Sequence, residues 1–391
     1  MKERAAALDA LRVGDFQTRW DAAKQLETYG EAIVDPLLAL LEAAEADAEL
    51  QWFIAKILGS LGHPDAAVAL GLLLERSEDE DVREMAAQGL AALGPSAIDR
   101  LSKCLEDPCR QMMALQALTQ IDRPEVVPLL LEVAQTGSDR GRARAFEALD
   151  RFADPRIGPV RWRALSDPSP EVRKTAIAGL AACTLEQSTA DLVERLLPSL
   201  EDADFEVAAQ TARALGRLAT DRAAIALLEK CRAPSTSVQL QQILIQALGW
   251  IGSLTAIQGL LDLWHRLAQQ SPLPERLLLE ILNGLSGPVE IAERAEIAER
   301  VVELIRSPVL QESPALRARA VLALGKIAKP TALPALVDLF EDPDYTVRLH
   351  LVAALKQIAP ELAYSAIQQR IEAGDAAPQM AEGLAIALRE W

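Results

Sequence analysis

The sequence predicts an all-α fold: an α-solenoid, or superhelix, of about twelve stacked helix pairs. Three observations carry this. An element of the form Ala-Leu-x-x-apolar recurs with its leucine at Leu26, Leu58, Leu90, Leu118, Leu149, Leu180, Leu215, Leu248, Leu282, Leu324, Leu355 and Leu384, about 32 residues apart. Aromatic residues make up only 4% of the chain while Ala and Leu dominate, which suits helices packed closely through small side chains. Apolar residues follow one another at spacings of three and four, as in Ala86, Leu90 and Leu93 or Ala320, Leu324 and Ile327, so strands are not expected.

Each repeat holds two helical patterns. The first is an apolar run such as Val126-Val127-Pro128-Leu129-Leu130-Leu131, with a proline in or near its first turn, where a missing N–H costs nothing. Pro36, Pro159 and Pro334 take the same place. A turn follows, clearest at Asp167-Pro168-Ser169-Pro170-Glu171-Val172-Arg173 and at Asp342-Pro343-Asp344-Tyr345-Thr346-Val347-Arg348. Its Asp can cap the next helix or accept hydrogen bonds within the turn. The Arg six residues later begins the second helix, which carries the marker leucine and often ends at glycine, as at Gly62 and Gly94.

A pair of roughly 12-residue helices cannot cover its own apolar face, so the repeats must stack into one array. Residues 1–391 are therefore expected to form a single solenoid domain, with its concave side as the binding surface. The long interval between Leu282 and Leu324 is expected to hold a helical insertion around 286–314, built on the charged stretch Val289 to Arg306.

A formal charge of -17 sets a repulsive field against polyanions, so neither nucleic acid nor an anionic membrane surface is expected as the main ligand; a basic or neutral protein suits it better. The acidic residues recur along the whole chain between apolar positions, as on solvated helix faces. Four cysteines, Cys104, Cys109, Cys183 and Cys231, are too few and too scattered for a disulfide framework. The first residues lead straight into an amphipathic helix, and no stretch approaches the roughly 18 apolar residues of a membrane span. A monomeric, cytoplasmic protein is expected.

The pattern Asp-Pro-x-x-x-Val-Arg followed by Ala-x-x-x-Leu-Gly-x-Ile stands nearly intact at Asp342 to Ile358, and in pieces at Val82 to Gly94 and Arg317 to Ile327. It resembles the short HEAT-like repeat of the phycobilisome lyase type, over essentially the whole chain. Proteins of this size built only from such repeats include cyanobacterial stand-alone HEAT proteins, one of them a partner of an IscA-type iron-sulfur scaffold. The resemblance implies the fold, and two possible activities beside a plain scaffold. One is a bilin lyase or phycobilisome-processing factor; the other is an accessory of iron-sulfur cluster assembly. An echo of the lyase motif Trp-x-x-Ala-x-x-Leu-Gly stands at Trp52 to Gly59. The signatures of ankyrin and tetratricopeptide repeats are absent.

Catalytic chemistry finds little support. The three histidines, His63, His265 and His350, have no partner at ligand spacing, and no phosphate-binding loop or serine-hydrolase elbow occurs. Cys104 and Cys109 are spaced to bring two thiols near one ion, but they read first as small buried apolar residues, as do Cys183 and Cys231. No enzyme activity, metal or cofactor is expected.

Two columns of the second helix bear on binding. Seven residues before the marker leucine, Arg and Gln dominate: Arg19, Gln51, Arg83, Gln111, Arg142, Arg173, Gln241, Arg317 and Arg348. They are expected to form an inter-repeat ladder in which each Arg bonds the turn Asp or a carbonyl of the neighbouring repeat, as Asp167 with Arg173 and Asp342 with Arg348 would permit. The next column holds Trp20, Trp52 and Met112, expected as an apolar patch on the inner face. Trp250 falls in a column of mostly polar residues, which suggests contact with a partner. Trp162 and Trp264, on first helices with apolar neighbours, are expected inside. The resulting reading is a non-catalytic adaptor that grips a cytoplasmic protein through Trp20, Trp52, Met112 and Trp250.

Overall fold

The computed structural model describes residues 2–43, 47–182, 188–286, 300–304, 308–327, 330, 333–373 and 378–391. Helix accounts for 83% of the structure, and no strand occurs among the described residues. The chain divides into two compact units, Met1–Gly179 and Leu180–Trp391.

In the first unit the second helices of successive repeats are Phe16–Glu27, Ala48–Leu61, Glu80–Leu93, Pro108–Gln120 and Asp139–Leu149, and each packs against the next. Their partners are the first helices Lys2–Val13, Val34–Glu42, Ala66–Arg76, Ile98–Leu105 and Val127–Thr136. The second unit repeats the arrangement with the second helices Phe205–Leu218, Val238–Ile251, Glu275–Leu285, Pro314–Ile327, Tyr345–Ile358 and Pro378–Glu390, again packed in succession. All twelve marker leucines are buried, none more than 4% exposed, because each falls at the centre of the apolar stripe that faces both the partner helix and the neighbouring repeat.

The local signals do what their chemistry requires. Pro128 and Pro334 are the second residues of their helices. Asp15, Asp47, Asp79, Asp204 and Asp344 cap second helices, each accepting a backbone N–H two or three residues on. The aspartates of the Asp-Pro turns sit two residues before the cap position: Asp167 and Asp342 accept from the N–H of Ser169 and Asp344, both within 2.9 Å. Gly62 and Gly252 end their helices in the left-handed conformation.

Glycine also sets how closely successive second helices approach. A Cβ on Gly59 would stand 2.6 Å from Cα of Gly89, and one on Gly249 would stand 2.6 Å from Cα of Gly284. Gly216 meets Ala247 and Gly325 meets Ala354 in the same way. In three of these contacts the partner lies one residue before a marker leucine, namely Leu90, Leu248 or Leu355. In the fourth, Gly284 precedes Leu285, so Leu285 and not Leu282 is the structural marker of the ninth repeat. Both leucines are fully buried on one helix face, and apolar spacing alone does not choose between them. Of the stretch 289–306 only 300–304 is described, and it is helical; the rest lies outside the described residues.

Candidate protein-binding surface

Phe16 and Trp20 are four residues apart on one helix and so share a face. Their rings stack at 6.1 Å between centroids, and Trp20 stacks in turn on Trp52 of the next repeat at 6.5 Å, both pairs inclined by 21°. Phe53, fully buried, meets the edges of Trp20 and Trp52 and anchors the cluster to the core. Lys56 Nζ stands 4.7 Å from the centre of the Trp20 ring and is paired with Glu27 at 3.6 Å. Trp20 and Trp52 are half-buried, whereas Phe16 is 54% exposed.

The cluster opens on a cleft of about 570 Å³ lined by Phe16, Trp52, Val82 and Met85 on its apolar side and by Glu49, Asp79, Asp81 and Glu84 on its polar side. Met112 lines a different groove, of about 440 Å³, with Met113, Gln116 and Arg144, so its place is apart from the two tryptophans. Trp250, 47% exposed, is the penultimate residue of its helix in the second unit. Trp264 is buried as its apolar neighbours predict, and Trp162 is half-buried. His265 is exposed beside Trp264.

The arginines of the column make two kinds of bond, and their pairing differs from the one the turn motif suggests. The carboxylate of Asp167 takes Nε and Nη2 of Arg142, one repeat earlier, at 2.9 and 2.7 Å. Arg317 grips Asp342 in the same fork at 2.6 and 3.1 Å, and Arg19 grips Asp47 at 2.6 and 3.1 Å. Arg173 and Arg348 donate Nη1 to the carbonyls of Asp167 and Asp342 within their own repeats, at 2.8 and 2.7 Å. Arg83 does likewise with Ser77 and Glu78. These arginines thus tie the end of a first helix to the second helix, and the forked ones tie one repeat to the next. Asp47 is held below the usual carboxylate range by the Arg19 bond; at Asp167 burial works upward, but the bonds from Arg142 and Ser169 outweigh it.

Two of the thiols are placed. Cys104 and Cys231 are each 1% exposed, and burial pushes both up to about 11, so at neutral pH they are protonated core residues. The side chain of Cys109 and the whole of Cys183 lie outside the described residues. Among the described residues no three His, Cys, Asp or Glu side chains are grouped to hold a metal ion.

Sequence reasoning singled out Trp20 and Trp52 but not Phe16, Met85 or the carboxylates opposite them. Phe16 was open to it, four residues before Trp20; apart from Glu49 on the helix of Trp52, the rest of the cleft comes from the third repeat and depends on how the repeats stack.

Successive helix pairs joined by a recurrent Arg–Asp fork define an α-solenoid repeat protein. The family model for HEAT repeats matches residues 34–112, 67–150, 157–243 and 299–389, more than half of the chain, and the protein belongs to that family. No curated protein sequence matches the chain.

Solved structures of karyopherins are similar in fold. Kap121p bound to Ste12p superposes with a TM-score of 0.62 at 13% identity, over 99% of this chain and 49% of that one. The Kap95:Nup1 complex gives 0.62 at 14% identity, over 98% and 62%. Importin beta gives 0.54 at 14% identity, over 91% and 55%. The chain thus spans about half the length of the Kap121p chains it resembles.

Proposed function

We propose that this protein is a non-catalytic interaction scaffold that holds a protein partner against the second helices of its repeats. The exposed Phe16–Trp20–Trp52 cluster beside an open cleft carries the reading: large rings held rigid by stacking and left partly in water are what interface hot spots are made of. Trp250 is proposed as a further anchor on the second unit, and Met112 as a contact in its own groove. The HEAT-repeat family model describes a repeat and not a catalytic domain, and among the structural neighbours Kap121p is bound to Ste12p and Kap95 is in a complex with Nup1, which supports this class of function.

The single array over 1–391, the monomeric state and a cytoplasmic partner belong to the same proposal; repeat markers on both sides of residue 179 and the reduced core thiols Cys104 and Cys231 support them. So does the narrower resemblance to the phycobilisome lyase type, which rests on the repeat pattern alone.

The test is an affinity capture from native lysate with identification by mass spectrometry, beside a variant carrying Trp20→Ala, Trp52→Ala and Trp250→Ala. A defined partner lost in the variant supports the scaffold and its site. Equal recovery moves the site elsewhere. Co-purified pigment or an iron-sulfur carrier would install the corresponding alternative.

A further inference from the structure

The cleft beneath Trp52 does not stand alone. A second cleft, of about 810 Å³, lies between the first helices of the second and third repeats, with Leu38, Leu41, Val68 and Leu72 on its apolar wall. Ala48 and Asp79 line both clefts. Ala48 opens the second helix of one repeat and Asp79 caps that of the next, so the clefts meet along the edge where the turns lie. Each falls within the range of about 300–1,000 Å³ of clefts that hold ligands.

The charge along this edge is one-sided. Asp81 and Glu84 are exposed and make no ion pair among the described residues. The nearest cation on their helix, Arg83, spends Nη1 on the carbonyls of Ser77 and Glu78 and therefore faces the turn. Glu49 is shared with Arg19, and Asp79 accepts the N–H of Val82. On the second cleft Glu42, Asp65 and Glu78 stand against Arg76 alone. A negative rim around apolar walls repels a second copy of this acidic chain, a phosphate backbone or an anionic bilayer. It attracts a cationic chain that also has apolar side chains to bury.

We propose that the two clefts form one docking groove for an extended segment of a partner protein that alternates Lys or Arg with apolar residues. Its apolar side chains enter between Trp52 and Met85 and between Leu41 and Val68, while its cations lie against Asp81, Glu84 and Glu78. The assignment rests on the scaffold reading and gives the partner its chemistry.

The test is fluorescence anisotropy on the full chain with a labelled twelve-residue peptide of Gly and Ser carrying four Lys and three Leu. Two control peptides replace the Lys by Glu or the Leu by Ser. The expected result is binding at least tenfold tighter than either control, weakened at least fivefold by Trp52→Ala and by Asp81→Asn with Glu84→Gln. Glu206→Gln with Glu361→Gln, an equal change in net charge on exposed residues of the second unit, leaves the affinity unchanged. Equal binding of the Glu peptide, or equal weakening by both charge pairs, overturns the groove in favour of diffuse attraction. A natural partner that is lost with Trp20→Ala and Trp52→Ala, yet kept by Asp81→Asn with Glu84→Gln, overturns this inference while leaving the scaffold standing.

Discussion

Arg142 reaches out of one repeat and closes its guanidinium on the turn carboxylate of Asp167 in the next, with both side chains 13% exposed. Arg317 and Asp342 form the same fork at 5% and 7%. A pair this buried strengthens the array little beyond its desolvation cost, but breaking one side strands a charge. Arg317→Met is expected to lower the unfolding free energy by about 3 kcal/mol, and Arg317→Met with Asp342→Leu to recover most of that loss. Urea unfolding followed by circular dichroism distinguishes the two; equal losses would show that the fork itself, and not the stranded carboxylate, sets the cost.

The same forks give the protein a sign for its acid response. Asp47 and Asp167 are lowered in the fold relative to an unfolded value of about 3.9, so their contribution is fully present above that value and is lost as pH falls through the depressed folded values. Asp154, lowered to about 2 by Arg156, acts in the same direction. Asp150 opposes them: burial raises it although Arg161 pulls it down, so its protonation favours the fold as pH falls. Melting temperature is expected to drop as pH falls below about 4, and Asp167→Asn to flatten that drop.

Close approach of the second helices depends on having no side chain at the contact. Gly249→Val and Gly59→Val each place atoms against backbone of the next repeat, and each is expected to cost about 1–3 kcal/mol. Thermal melts of both variants, compared with a valine at an exposed helical site, isolate this effect; a loss no greater than the control would mean that the helices separate freely.

Buried, protonated thiols should be slow to react. With Cys109 and Cys183 replaced by Ser, a thiol reagent at pH 7.5 is expected to label neither Cys104 nor Cys231 until urea unfolds the chain, and then to label both. Fast labelling of the native variant would contradict the core placement and reopen a chemical role for these residues.

The repeat itself was written in short-range chemistry. Marker leucines, prolines in first turns, capping aspartates and terminal glycines each act within a few residues, so an all-α helix-pair array follows from them alone. Longer reach defeated that reasoning at identifiable places. Asp167 and Arg173 lie six residues apart and invite pairing, yet the carboxylate turns to Arg142, because a guanidinium from the previous repeat brings two nitrogens to its two oxygens while Arg173 is aimed at backbone carbonyls. Leu282 and Leu285 are equivalent in pattern, and only the contact of Gly249 with Gly284 separates them.

The binding surface divides in the same way. Trp20 and Trp52 stood out as rare rings in one column, and the stacked cluster contains both. That Met112 faces another groove, that Met85, Asp81 and Glu84 complete the cleft, and that Ala48 and Asp79 join it to a second one, were decided by stacking between repeats. Sequence by itself determined the class of helix pair, because apolar stripes at spacings of three and four can be buried in few ways. Tertiary structure alone decided which side chains of neighbouring repeats meet, because that depends on helix register and the small residues at the contact, which one-dimensional spacing does not encode.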